Sequence, residues 1–175
     1  MPADQPPGQT AQNSGAAART YDIRIARDGT WFHEGAPIGR KALVRLFASV
    51  LWRDEGGGYW LRTPAERGRI EVEDAPFVAV ELSVRGGGRD QVLAFRTNLD
   101  DWVEAGPEHA LRVVEGAAKG DRSPYIEVRD RLEALILRPV YYELAELAVP
   151  APAGGPAETL GVWSRGVFFP LGSAA

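Results

Sequence analysis

Eighteen glycines and ten prolines chop the stretch from Tyr21 to Gly172 into short runs, and that punctuation limits what the chain can build. Most of the runs alternate apolar with polar residues, the period of a strand with one covered face. Ile23 and Ile25 alternate with charged neighbours, Asp28-Gly29 supplies a turn, and Trp31-Phe32 begins the return of a hairpin. Further strands are expected at "YWLRT", stopped by Pro64, at "RIEVE", and at "PFVAVELSV", where Val78, Val80, Leu82 and Val84 share a face. "RGGGRD" then turns the chain into "QVLAFRT", an antiparallel partner, and "ALRVVE" and "PYIEVRD" follow. "NLDDW", directly after "QVLAFRT", is a turn, with Asn98 and Asp100 able to bond nearby main-chain amides.

Two segments escape this pattern. In "RKALVRLFASVLW" the residues Leu43, Leu46, Phe47, Val50 and Leu51 recur at helical spacing, which predicts one helix with Leu46 in the core. In "RLEALILRPVYYELAELA" Pro139 disfavours helix for the residue before it and suits a helix start. The spacing therefore predicts a strand over "RLEALIL" and a helix over 139–148, burying Val140, Leu144 and Leu147. "VPAPAGGPAE" at 149–158 is a loop, and "TLGVWSRGVFFPLG" closes the chain as a last hairpin. The fold class expected is α+β: two similar antiparallel-sheet lobes, residues 20–85 and 86–175, each with one main helix, behind a disordered tail over 1–19. "RDGTWFHEGAPIG" near one end and "SRGVFFPLG" near the other echo one another, from a duplicated core or from a turn solution used twice.

The composition narrows the chemistry. There is no cysteine, which removes disulfides, thiolate nucleophiles and cysteine-ligated zinc. A net charge of −4 gives no general attraction to nucleic acid or anionic membrane, so any anion site must be a local arginine cluster. The bias of eighteen Arg to two Lys, beside much Ala, Gly and Pro, points to a GC-rich genome more than to a function. Residues 1–19 lack a signal-peptide pattern and no run is long enough to span a bilayer, so the expected location is the cytoplasm.

Motifs for catalysis are absent. His33 starts a His-Glu pair that Gly35 and Pro37 keep from helix, and His109 follows Pro107-Glu108 in a loop. No serine stands in a nucleophile elbow, and the glycine triplets at 56–58 and 86–88 are turns rather than phosphate loops. The acidic groups Glu71, Glu73, Asp74 and Asp100, Asp101, Glu104 lack calcium-loop spacing. No cofactor or metal is expected.

Arginines set beside aromatic residues are the remaining signal. Period two places Trp60 with Arg62, and Tyr125 with Glu127 and Arg129, on shared faces; Arg96 follows Phe95, and Arg138 stands before Tyr141-Tyr142. A ring for stacking and a guanidinium fork together can hold a base and a phosphate. Trp60, Arg62, Arg96, Tyr125, Arg129 and Arg138 are thus the candidate ligand-binding residues. The competing reading fills the core with the rings and pairs the arginines with glutamates.

"DGTWFHEGAPIG", "GYWLRTPAERGRIEVEDAPFVAVEL", "FRTNLDD", "PYIEVRDRLEALILRPVYYELAE" and "SRGVFFPLG" together resemble the bacterial domain-of-unknown-function family 1285, over about residues 20–175 in order. The resemblance implies a duplicated α+β core whose second lobe is loosely like a pleckstrin-homology barrel. It carries no assigned activity and no catalytic residues. What it suggests is a non-enzymatic module binding a nucleotide-like anion between the lobes in signal transduction, or a protein partner. Two alternatives stand beside this: an enzyme acting on a nucleotide or small anion, and a protein-interaction scaffold without a small ligand.

Overall fold

The same arrangement of six strands occurs twice in the computed structural model, which describes residues 18–118, 121–155 and 158–173. The first sheet contains β1 (Arg19–Ile25), β2 (Trp31–His33), β3 (Ala36–Pro37), β4 (Leu51–Arg53), β5 (Tyr59–Arg62) and β6 (Arg67–Val72), in spatial order β3-β2-β1-β6-β5-β4. The second contains β7 (Phe77–Arg85), β8 (Val92–Thr97), β9 (Trp102–Glu104), β10 (Leu111–Glu115), β11 (Arg122–Arg129) and β12 (Leu132–Ile136). Its order, β9-β8-β7-β12-β11-β10, is the first order with six added to each strand. Duplication is therefore present as topology.

Neither sheet is purely antiparallel. In each half two three-stranded meanders meet through their first and last strands, so β1 pairs with β6 and β7 with β12 in parallel. Between the third and fourth strands the chain must cross from one sheet edge to the other. The first half crosses through α1 (Lys41–Ser49). The second half crosses with only residues 105–110, a length that reaches roughly 20 Å at full extension. Its edges must lie close together, and the sheet curls into a partial barrel.

Each expected lobe carries one helix, but the two helices do not occupy equivalent places in their sheets. α2 (Arg138–Glu146) follows the last strand of the second sheet, with Pro139 in its first turn and Val140 and Leu144 buried. It leads into a third sheet, β13 (Val149–Pro150), β14 (Thr159–Ser164) and β15 (Val167–Ser173). The echoing hairpins are accordingly unrelated in position. In one, Asp28-Gly29 makes a bulged turn that only Gly29 enters with positive φ; in the other Arg165 and Gly166 both do. The Glu34-Gly35 turn later in the first segment has the same φ pair as Arg165-Gly166, so what the two segments share is a two-residue turn.

The sheets divide at residues 73–76, so the boundary expected at 85/86 cuts between β7 and β8, which pair with each other. The expected tail over 1–19 lies outside the described residues up to 17, and Arg19 already pairs with Gly68 at the start of β1. Part of the loop over 149–158 is strand β13. One core cluster runs through both halves, from Ile25 and Trp31 to Phe95, Ile126 and Leu144.

α1 buries Val44 and Ala48 and stacks Phe47 on Trp31 at 6.3 Å, whereas Leu46 is 61% exposed. The expected face counted Val50 and Leu51 as helical, but the helix ends at Ser49 and Leu51 belongs to β4. Shortening the helix turns its buried stripe by one residue, to Val44, Phe47 and Ala48, and Leu46 faces outward.

Candidate functional site

Arg129 does not lie open beside a ring. It sits past a bulge at the end of β11, where Nη2 donates to the Ala48 carbonyl at 2.6 Å and Nη1 reaches the Leu51 carbonyl at 3.5 Å. A cation on the last carbonyls of α1 satisfies groups the helix cannot and complements its dipole. Lys41 and Arg45 tie the same helix to Asp100 and Asp101 in the β8–β9 turn. The Asp100 carboxyl is held below its ordinary range, first by the bond from Lys41 at 2.7 Å and then by Arg96 at 3.0 Å.

These ties leave a cleft of about 730 Å³ between α1 and the mouth of the curled second sheet. That is the size of pockets that take small molecules. Ala48, Phe77, Leu99, Val103 and Val128 give it apolar lining, and Trp102, 49% exposed, stands at the β9 edge. Three cations, Arg45, Arg129 and Arg165, face three carboxylates, Asp101, Glu104 and Glu108. Arg165 binds Glu104 at 3.0 Å. His109 lines the same wall, its Nδ1 donating to the Glu127 carbonyl at 3.1 Å, which leaves Nε2 of the neutral ring as an acceptor.

Of the six residues predicted for a ligand, only Arg129 lines this cleft. Arg96 spends its guanidinium on Glu81 and Asp100. Tyr125 is buried and donates its hydroxyl to Asp74 at 2.7 Å; burial and then that bond raise its pKa. The guanidinium over the Tyr125 ring belongs to Arg112, itself doubly bound to Glu133. Arg138 is the exposed first residue of α2. The six do not form one site.

Trp60 and Arg62 do stay together, on the outer face of the first sheet. Their neighbours Tyr59 and Leu61 point to the inner side, where Leu61 joins the core. Pairing across the sheet sets Trp52 beside Trp60, Trp60 beside Arg69, and Arg62 beside Arg67. The Arg62 guanidinium lies 5.3 Å from the Trp52 ring, and those of Arg67 and Arg69 lie 5.9 Å from the Trp60 ring. Trp60 Nε1 donates to Asp54 at 2.7 Å, the first cause of a lowered Asp54 pKa, followed by the Gly58 amide.

Sequence reasoning missed Trp52, Arg67 and Arg69, because strand register is not written in a single strand. It missed Arg45, Trp102, His109 and Arg165 because they converge from separate elements. Among the described residues, no cluster of His, Asp and Glu could hold a metal ion, and no helix is long and apolar enough to cross a membrane.

Comparison with known proteins agrees with the division into halves. The DUF1285 N-terminal domain of unknown function matches residues 13–75, and the C-terminal domain of the protein of unknown function DUF1285 matches 76–171. A crystal structure of a DUF1285 family protein from Silicibacter pomeroyi DSS-3 is similar at 46% identity and a TM-score of 0.81, covering 89% of this chain and 81% of that one. Another, from Shewanella baltica OS155, shares the fold at 24% identity and a TM-score of 0.56, covering 72% of this chain and 91% of that one. No curated protein matches the chain. With both halves matched in succession by their own domain models, the chain belongs to the DUF1285 family of unknown function.

Proposed function

We propose that the protein is a non-enzymatic cytoplasmic binding module that takes a small planar molecule with an anionic group into the cleft between its halves, in a regulatory role. The observation that carries this is the meeting of three guanidinium groups, an exposed indole and an apolar floor in one cleft bounded by both halves. Trp102 supplies the stacking face, and Arg45 and Arg165 supply forks for phosphate or carboxylate. The three carboxylates balance those charges, so the ligand must also donate hydrogen bonds, as the amino group of a nucleobase does. Arg129 serves as a positioning residue: it holds α1, and α1 is one wall of the site.

A thermal-shift series with nucleotides and related phosphates tests this. A ligand at a hundred times its dissociation constant stabilises the fold by about 2.7 kcal/mol. Trp102→Ala and Arg165→Ala should each remove the shift, and Trp60→Ala on the outer face should keep it. Absence of any shift, or one that survives both cleft changes, overturns the proposal.

A second reading, an enzyme acting on the same ligand, is favoured by His109. Its Nδ1 bond points the basic nitrogen away from the main chain, on a wall that also carries Glu104 and Glu108. Turnover of the bound ligand that is lost in His109→Gln would replace the binding module with this reading.

A further inference from the structure

The outer face of β4, β5 and β6 gathers several arginines that have no carboxylate partner among the described residues. Among those residues, eleven of the eighteen arginines pair with a carboxylate. Arg62, Arg67 and Arg69 do not, among the described residues, and all three are exposed on this one face. Each lies over an indole instead. Asp54 already accepts from the Trp60 indole and the Gly58 amide, and Glu71 stands exposed two residues beyond Arg69 on β6. Three guanidinium groups beside two carboxylates, Asp54 and Glu71, leave this face with a small positive balance on a protein whose net charge is −4.

We propose that this face binds single-stranded nucleic acid, with Trp52 and Trp60 stacking on bases and Arg62, Arg67 and Arg69 holding phosphates. Every base offers a flat π-face, so two indoles on adjacent strands suit a run of unpaired bases whatever their sequence. An exposed guanidinium on an indole is a weaker contact than a stacked base. The arginines can therefore swing to the phosphates while the rings receive bases. A single nucleotide would leave most of this surface unused, and duplex bases are closed to indole stacking. An anionic bilayer fits less well, because both tryptophans are half-buried under guanidinium groups instead of projecting as wedges. The face shares no residue with the cleft, and the inference does not depend on ligand binding there.

The test is fluorescence anisotropy of labelled fifteen-nucleotide oligo(dT) and oligo(U) with the full chain. Three phosphate contacts on a single strand predict a logarithmic salt slope of about −2, or roughly 20-fold weaker binding at 200 mM than at 50 mM salt. The combined change Arg62→Gln, Arg67→Gln, Arg69→Gln should abolish binding at 200 mM salt with an unchanged melting temperature. Trp52→Ala should weaken it about tenfold or more, and Trp102→Ala in the cleft should leave it intact. No binding at 50 mM salt, binding that survives the triple change, or equal affinity for duplex overturns the proposal. So does capture by phosphatidylglycerol vesicles that oligonucleotide cannot displace.

Discussion

Arg53 and Arg131 each donate a guanidinium N–H to the other's main-chain carbonyl, both at 3.1 Å, closing a reciprocal clasp between the two halves. Arg53 also lies over the Tyr59 ring and 3.8 Å from Glu133. Charge-assisted bonds to carbonyls exceed neutral ones, although exposure discounts them here. Arg131→Ala should cost about 1 kcal/mol in urea unfolding. Arg85→Ala, which removes only a surface ion pair to Glu104, should stay within about 0.5 kcal/mol.

Leu46 and Leu144 separate the expected core from the observed one. Leu144 has no exposed surface, and truncating it to Ala should cost about 2–5 kcal/mol. Leu46→Ala, at 61% exposure, should change stability by less than about 0.5 kcal/mol. Denaturant midpoints of the two variants decide it, and equal losses would show that α1 is turned the wrong way.

Gly68 sits on β6 where a Cβ would run directly into the Tyr21 ring. Gly68→Ala should therefore destabilise by about 1–3 kcal/mol through overpacking. Adding Tyr21→Ala should cost less than the sum of the single changes, since the smaller side chain frees the space. Additive losses would argue that the ring moves aside at little cost.

Asp100 should make stability depend on acidity. Its folded pKa lies below the ordinary 3.8, held there by Lys41 and then Arg96. A depressed carboxylate contributes stability above its unfolded pKa and loses it as pH falls through the folded one. The advantage of the wild type over Asp100→Asn should be full above pH about 4 and shrink below it. Asn tolerates the left-handed backbone at φ 69°, so the change isolates the charge. Melting temperatures from pH 7 to pH 2.5 give the comparison, and a constant gap would contradict it.

Local periodicity made much of the fold legible. The break at Pro139, the strand before it and the buried Val140 and Leu144 were all readable, because a proline and a helical stripe act within one segment. The face of α1 was not, because nothing in "FASVLW" marks Ser49 as the last helical residue. The parallel β1–β6 and β7–β12 pairs were hidden for a different reason: they join residues far apart in the chain, and alternation says nothing about which strand lies alongside. The same limit applied to the candidate site. Trp60 and Arg62 could be joined from one strand's period, whereas Tyr125 and Arg129 are separated by the bulge between Glu127 and Arg129.

The parallel pairs also bear on how quickly the molecule can form. The central pairing of each half joins its first strand to its last, so the first sheet stays open until Val72 is made and the second until Ile136. Long-range pairings pay loop-closure entropy before contacts repay it, and such chains fold in milliseconds to seconds. On the ribosome, β1 through β5 would wait without their seam while β6 is synthesised. A half released in that state exposes the edges of β1 and β5, and with them a route to pairing between neighbouring chains.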